Sequence, residues 1–442
     1  MPMLRTFSSR PSFSADWNGN YEEKSAQWFE LFMDLIMVAA CANVADKLKD
    51  DLTHDGFLNY LLVFTMYVAS WQKYTFFNAR FSEDSFVHYS MLYVLLAGLG
   101  GMVMAGDPSP GFTIGLLLVR VAMVLMYLNV YFQLHETRKT LWIEILLSGS
   151  SSLVLLTSLF LPSSCTVPCY VVCFFIEVIF RYIWAFQGWF LDPDHPHIPM
   201  NIEHTSERYG CFVMVVLGEA ILSSTINTKP SDKANFTTRY YAVMLLSFLV
   251  NFSMAMYYFA MRPPRKFHAM RRGLLGLISF VVLHLCLLPS LLTMSVSTKL
   301  IADAVLKQAP LESSSVWTLF GAMALALAFM FGIRLAHFVG VQPAPHDPIE
   351  VKMIKYHWWV LVGLSPLIPC GLAIALEYVS GGRVDPIHAL IVASAFMLLW
   401  VVIETALMHW LVKVGNQHKL KEHKALLSPK KSLQVGADKH AV

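Results

Sequence analysis

The chain has 442 residues, of which 56% are hydrophobic and only 14% charged, and its mean hydropathy is +0.53. A soluble globular protein carries about 25% charged residues, and the deficit here lies in long apolar runs separated by short polar stretches, which excludes a water-soluble fold. The net charge of +3 says little, because its distribution matters more than its sum, and no feature of the chain suggests nucleic-acid binding.

The segment Met1–Gln27 is polar and has no apolar core, so a cleaved signal peptide is not expected. Runs of about 20 apolar residues, enough to cross the hydrocarbon layer, then follow one another to the end of the chain. Helices are predicted at Trp28–Ala45, Phe57–Asn78, Phe86–Ala105, Gly111–Phe132, Leu141–Leu161 and Val167–Gln187. A second series comprises Glu207–Ser224, Thr238–Ala260, Arg272–Ser297, Ser314–Phe338, Tyr356–Val379 and Pro386–Trp410. The fold class expected is therefore all-α, a polytopic transmembrane bundle of about twelve helices embedded in a lipid bilayer. The fifth helix contains the run Ser148–Ser152, tolerated where membrane helices touch closely. Pro289, Pro366 and Pro369 should kink or break their helices.

Glu30, Met37 and Val38 in the first helix are echoed by Glu207, Met214 and Val215 in the seventh. The pair Asn78 and Arg80 near the end of the second finds a weaker echo in Arg262 after the eighth. Two parallel six-helix halves are the reading offered. The segments are 1–27, a cytoplasmic amino-terminal stretch; 28–190, the first half; 191–206, a cytoplasmic loop; 207–412, the second half; and 413–442, a basic cytoplasmic tail. Most Lys and Arg in the loops fall on the side of the two termini, which puts both termini in the cytoplasm. The glycosylation triplet at Asn235 falls in a loop assigned to the other side.

Ionisable side chains inside membrane helices need partners or a wet cavity. Glu30 and Asp34 share one face of the first helix. Asn78 and Arg80 end the second on the same side, Asp84 and His88 open the third there, and His204, Glu207 and Arg208 open the seventh. These charges read equally as a salt-bridge belt or as a vestibule for an ion or small solute. A pairing of Glu30 or Asp34 with Arg80 is expected, and a helix-internal pair of Glu177 with Arg181. Glu219, about 18 Å into the seventh helix, reads as a carboxyl near the bilayer centre and a candidate proton carrier. Arg120, Arg334, His337 and Glu404 read as packing groups.

Cys41, Cys211, Cys286 and Cys370 fall in apolar runs. Cys165, Cys169 and Cys173 form a helical stripe that reads as packing rather than as a metal or redox ladder. The loop Asp192–His197 matches no metal-ligand spacing. No phosphate-binding loop, dinucleotide fingerprint or nucleophile elbow occurs, so no catalytic residue, cofactor or metal is assigned.

The segment Trp28-Phe29-Glu30-Leu31-Phe32-Met33-Asp34-Leu35 resembles the first-helix signature W-x-E-L-F-F-D-L of the bacterial low temperature requirement A (LtrA) family. Phe76-Phe77-Asn78-Ala79-Arg80-Phe81, followed by Asp84 and His88, resembles its second signature. His204-x-x-Glu207-Arg208-Tyr209-Gly210 with Val216-Leu217-Gly218-Glu219 resembles its third. The likeness fades after Phe259, where Ala260 stands in place of an expected acid. The resemblance implies a polytopic membrane protein and supplies no established reaction. A transporter or channel, with proton coupling through Glu219 as an option, is the first expectation; a membrane enzyme acting on lipid with His88 or His204 as base, and a scaffold or sensor, are the alternatives. Neither substrate nor oligomeric state is specified.

Overall fold

The computed structural model describes residues 7–15, 26–183, 198–226, 238–340, 344 and 347–427. The expected elements on 184–197 and 227–237, including the Asp192–His197 loop and Asn235, lie outside the described residues, as does the tail from 428 on.

Among the described residues thirteen α-helices follow in order: α1 Trp28–Asp50, α2 His54–Arg80, α3 Phe86–Ala105, α4 Pro110–Gln133, α5 Arg138–Ser158, α6 Thr166–Phe174, α7 Ile202–Ile226, α8 Thr238–Ala260, α9 Leu274–Leu306, α10 Ser313–Phe338, α11 Ile349–Leu364, α12 Leu367–Ser380 and α13 Pro386–Leu427. A π turn at Phe175–Ile179 extends α6. Among the described residues nine helical segments are long and apolar enough to cross a membrane, and the pair α11–α12, bent by 45° at its break, makes a tenth. Helices α2 and α7, of 27 and 25 residues, fall short of that apolar composition because they carry much of the polar chemistry described below. Each of the twelve predicted elements overlaps a described helix, the sixth as far as residue 183. Pro366 stands at the break between α11 and α12, whereas α9 runs through Pro289.

Contacts between chain-distant ends define two faces. On the amino-terminal face, Ser12 and Phe13 pair antiparallel with Ser82 and Phe81. The Asn201 N–H donates to the Ala79 carbonyl there at 2.8 Å. On the opposite face Lys49 meets Asp303 at 2.6 Å, and Arg239 pairs with Asp385.

The middle of the molecule is built on α1, which packs against α2, α3, α7 and α9. Its buried stripe Met33, Met37, Cys41, Val44 and Leu48 follows the 3.6-residue period of a helix with one inward face. Helices α3 and α4 approach until backbones touch. A Cβ on Gly98 would lie 2.6 Å from the Gly115 carbonyl oxygen, and one on Gly115 the same distance from that of Gly98. In α5 the serine run is continuous helix, with Ser150 and Ser152 hydroxyls donating to Leu147 and Ser148 carbonyls. The Cys173 thiol of α6 reaches the Ser151 carbonyl at 3.7 Å, so this cysteine packs as expected.

The basic connection between α8 and α9 folds back under the bundle. His268 is buried there against His337 and Phe280, with ring centroids 4.8 and 5.0 Å away, and its Nε2 lies 3.2 Å from the Ser206 hydroxyl. Burial holds its imidazole down to about 4, against the opposing pull of Glu203. The unfolded chain binds this proton near pH 6.5 and the folded one only near 4. The contribution is therefore complete above about pH 6.5 and lost as pH falls towards 4. The melting temperature of the solubilised protein is expected to drop across that window, and His268→Gln to flatten part of the drop; a variant whose pH profile superimposes on that of the parent would refute the assignment.

Candidate functional site

Several buried ionic groups lie among the helices, and the first joins α1 to α7. Glu30 and Asp34 are four apart on α1, His204 and Arg208 four apart on α7, so each helix presents a one-sided pair to the other. Arg208 donates from Nη1 to Asp34 Oδ2 at 2.6 Å and from Nη2 to Asp34 Oδ1 at 2.7 Å. This is the forked geometry in which guanidinium and carboxylate bind most strongly. The Trp71 indole N–H of α2 donates to Asp34 Oδ1 at 2.9 Å, and the guanidinium lies 5.6 Å from the centroid of the Trp71 ring. Glu30 Oε1 is 3.0 Å from His204 Nε2 and accepts from Asn78 Nδ2 at 3.2 Å. Its other oxygen accepts the Gln27 N–H at 2.8 Å, capping α1. Glu30, His204 and Arg208 are all 0% exposed. Of the sequence candidates, this group gathers Glu30, Asp34, Asn78, His204 and Arg208.

Arg80 does not join it. Asn78 turns towards Glu30, and Arg80, two residues or about 200° further round the helix, faces the other way, 3.9 Å from Glu144 of α5. The expected pairing of Arg80 with Glu30 or Asp34 is thus corrected to Arg208 with both. His88 is buried beside Phe77, ring centroids 5.9 Å apart, with Nδ1 3.9 Å from Glu83. Asp84 is exposed in the loop before α3, and Glu207 is half-buried. Glu207 and Asp34 line a lateral groove of ≈ 610 Å³ between α1 and α7, together with Gly210, Gly218 and Arg262.

The second group lies among α2, α4, α5 and α6. Glu177 lies 2.6 Å from Arg120 Nε and 3.1 Å from Lys73 Nζ as an ion pair with both, while Arg181 pairs with Glu144 at 2.8 Å. The expected pair of Glu177 with Arg181 is corrected accordingly. The π turn around Glu177 inserts an extra residue into the helical spiral and rotates the two side chains apart.

The third group contains Glu219. Lys299 of α9 lies 2.9 Å from Glu219 Oε1 and 2.7 Å from Asp46 Oδ1 of α1. Side-chain exposures are 1% for Glu219, 2% for Lys299 and 51% for Asp46, so one ammonium bridges a fully buried carboxylate and a half-exposed one. Helix α7 begins at Ile202 rather than Glu207, which puts Glu219 about 25 Å from its start. Between this group and the first, α7 advances eleven residues, about 16 Å, past the buried Phe212, Val213 and Val216.

Sequence reasoning missed Lys73, Glu144, Asp46 and Lys299. The last two stand one and two residues beyond where the predicted first and ninth helices stop. Each charge ended the apolar run on paper although its helix continues past it.

Helices of this length and composition around buried charges define a multi-pass helical membrane protein. Residues 25–415 match the family described as bacterial low temperature requirement A protein (LtrA), and the chain belongs to that family. The three signature segments supply both sides of the α1–α7 ion pairs. No curated protein and no solved structure matches the chain.

Proposed function

We propose that the protein is a membrane transporter for a cation or another small ionic solute, coupled to protons through Glu219. The observation that carries this reading is the Lys299 ammonium held between Glu219 and Asp46. A cation arriving from the opposite face meets Asp46 first. When Lys299 swings fully to Asp46, Glu219 loses its ammonium, and a proton or a substrate cation takes that place. Return of the ammonium to Glu219 releases what it took up, so one side chain couples two sites by competition. Pro289, ten residues before Lys299 within α9, cannot donate to the ladder and marks a bend point. The Tyr60 hydroxyl donates to its carbonyl at 2.7 Å.

The Glu30–Asp34–Arg208–His204 group supplies the corresponding station near the amino-terminal face. One guanidinium serves two carboxylates there, and the His204 imidazole meets Glu30 beside it. Helices α1 and α7, the first of each proposed half (28–190 and 207–412), face one another across it.

Reconstitution in vesicles with an entrapped pH-sensitive dye tests the reading. Imposed gradients of small cations and solutes are expected to drive pH-dependent flux in the parent and none in folded Glu219→Gln. Parent-like flux in that variant removes the proton role, and silence towards every solute removes transport.

The proposed orientation places both termini in the cytoplasm and Asn235 outside. In a host that glycosylates this triplet, a glycosidase-sensitive mass shift absent from Asn235→Gln is expected. Labelling of the carboxy-terminal tail on intact cells by an impermeant reagent would reverse the orientation.

A further inference from the structure

A crevice of ≈ 730 Å³ opens at the amino-terminal face between α8, α10, α11 and α13. Its walls include Lys355, Trp358, Trp359 and His409, with Arg334 and Glu404 at its base. Arg334 is 2% exposed. Its guanidinium lies between two aromatic rings, 4.8 Å from the Tyr257 centroid and 5.0 Å from that of Trp358. It bonds Glu404 through Nη2, while Nε and Nη1 have no hydrogen-bond partner among the described residues. A buried arginine that spends only part of its donor fork is costly unless an anion completes it. Lys355 stands on the wall, tethered to Asp347 at 2.6 Å.

We propose that this crevice binds the anionic headgroup of a glycerophospholipid. Arg334 lies four residues, about 6 Å, inside the end of α10, the depth at which headgroup phosphates and interfacial tryptophans meet. Tyr356, Val360, Met408 and Val412 around it are exposed apolar side chains. An anion-binding base continuous with hydrocarbon-facing walls suits a ligand having both parts, which a free phosphate does not. Arg334 and Lys355 receive the anion, Trp358 and Trp359 flank the glycerol region, and the acyl chains run down the outside of α11 and α13.

The test uses the purified full chain in detergent, with phosphatidylglycerol, phosphatidylcholine of the same acyl chains, or inorganic phosphate added. Native mass spectrometry and thermal unfolding are the two readouts. Phosphatidylglycerol is expected to remain as a retained adduct and to raise the melting temperature, with phosphatidylcholine and phosphate doing neither. Lys355→Gln should retain phosphatidylglycerol about tenfold less well, the loss of one charge-assisted contact. Thr405→Trp, which fills the crevice from its exposed rim on α13, should abolish retention without touching Arg334. Equal retention of both lipids, or undiminished retention in folded Thr405→Trp, would overturn the site. The same thermal shift from phosphate alone would overturn the lipid as its ligand.

Discussion

Arg208→Gln is expected to reduce the yield of monodisperse protein sharply, with a loss of about 3–5 kcal/mol, the usual consequence of leaving a buried carboxylate uncompensated. That is a large share of the stability of an ordinary domain. The side chain is 0% exposed and holds Asp34 by two bonds, with Glu30 as a second neighbour at 3.8 Å. No glutamine reproduces that fork. Asp34→Asn should be milder, because its amide oxygen still accepts from Trp71, and combining it with Arg208→Gln should recover part of the loss by removing the orphaned charge. Arg80→Gln provides the contrast. Glu144 keeps Arg181 at 2.8 Å when Arg80 is gone, so the change should be nearly neutral. Unfolding midpoints of the four variants decide the matter, and an Arg208→Gln protein as stable as Arg80→Gln would mean that the α1–α7 pair is not the dry contact described.

The reversal of those two arginines marks how far the sequence can be read. Apolar run length located every helix, because backbone satisfaction in lipid leaves a helix as the only form for such a segment. The charged faces were legible too, since Glu30 with Asp34 and His204 with Arg208 are four-residue spacings that need no tertiary information. Which helix meets which face is not written in any one segment. Arg80 and Arg208 were equally placed candidates on the amino-terminal side, and the choice depends on α1 packing against α7 and on the direction in which the end of α2 turns. The pair at Glu177 and Arg181 failed for a local reason, a π turn that no periodicity reveals. Lys299 was lost at a boundary: counting charges as helix ends truncates a 33-residue α9 that carries its lysine inward to Glu219. The family resemblance covered the first eight predicted helices, and the match to residues 25–415 extends it over the second half where the motifs fade.

Lys299→Met is expected to be more damaging than Glu219→Gln, and the double variant more stable than Lys299→Met alone. Methionine fills the lysine stem's volume but removes the only cation within salt-bridge distance of Glu219 among the described residues. It leaves a carboxylate of 1% exposure without its ammonium, at a cost of about 3–5 kcal/mol. Glu219→Gln, by contrast, leaves Lys299 its bond to Asp46 at 2.7 Å, and that carboxylate is half in solvent, so the remaining charge stays served. Neutralising both positions removes the conflict, and a coupling of about 0.5–3 kcal/mol between them is expected in a thermal double-mutant cycle. The cycle also separates structure from transport. If the ammonium is the coupling element, the double variant folds well yet carries no pH-dependent flux, whereas a purely structural pair predicts that restored stability brings back whatever flux the parent has. Additive single effects would show that Lys299 belongs to Asp46 and that Glu219 is held by other neighbours, and the competition mechanism would then have no element to run on.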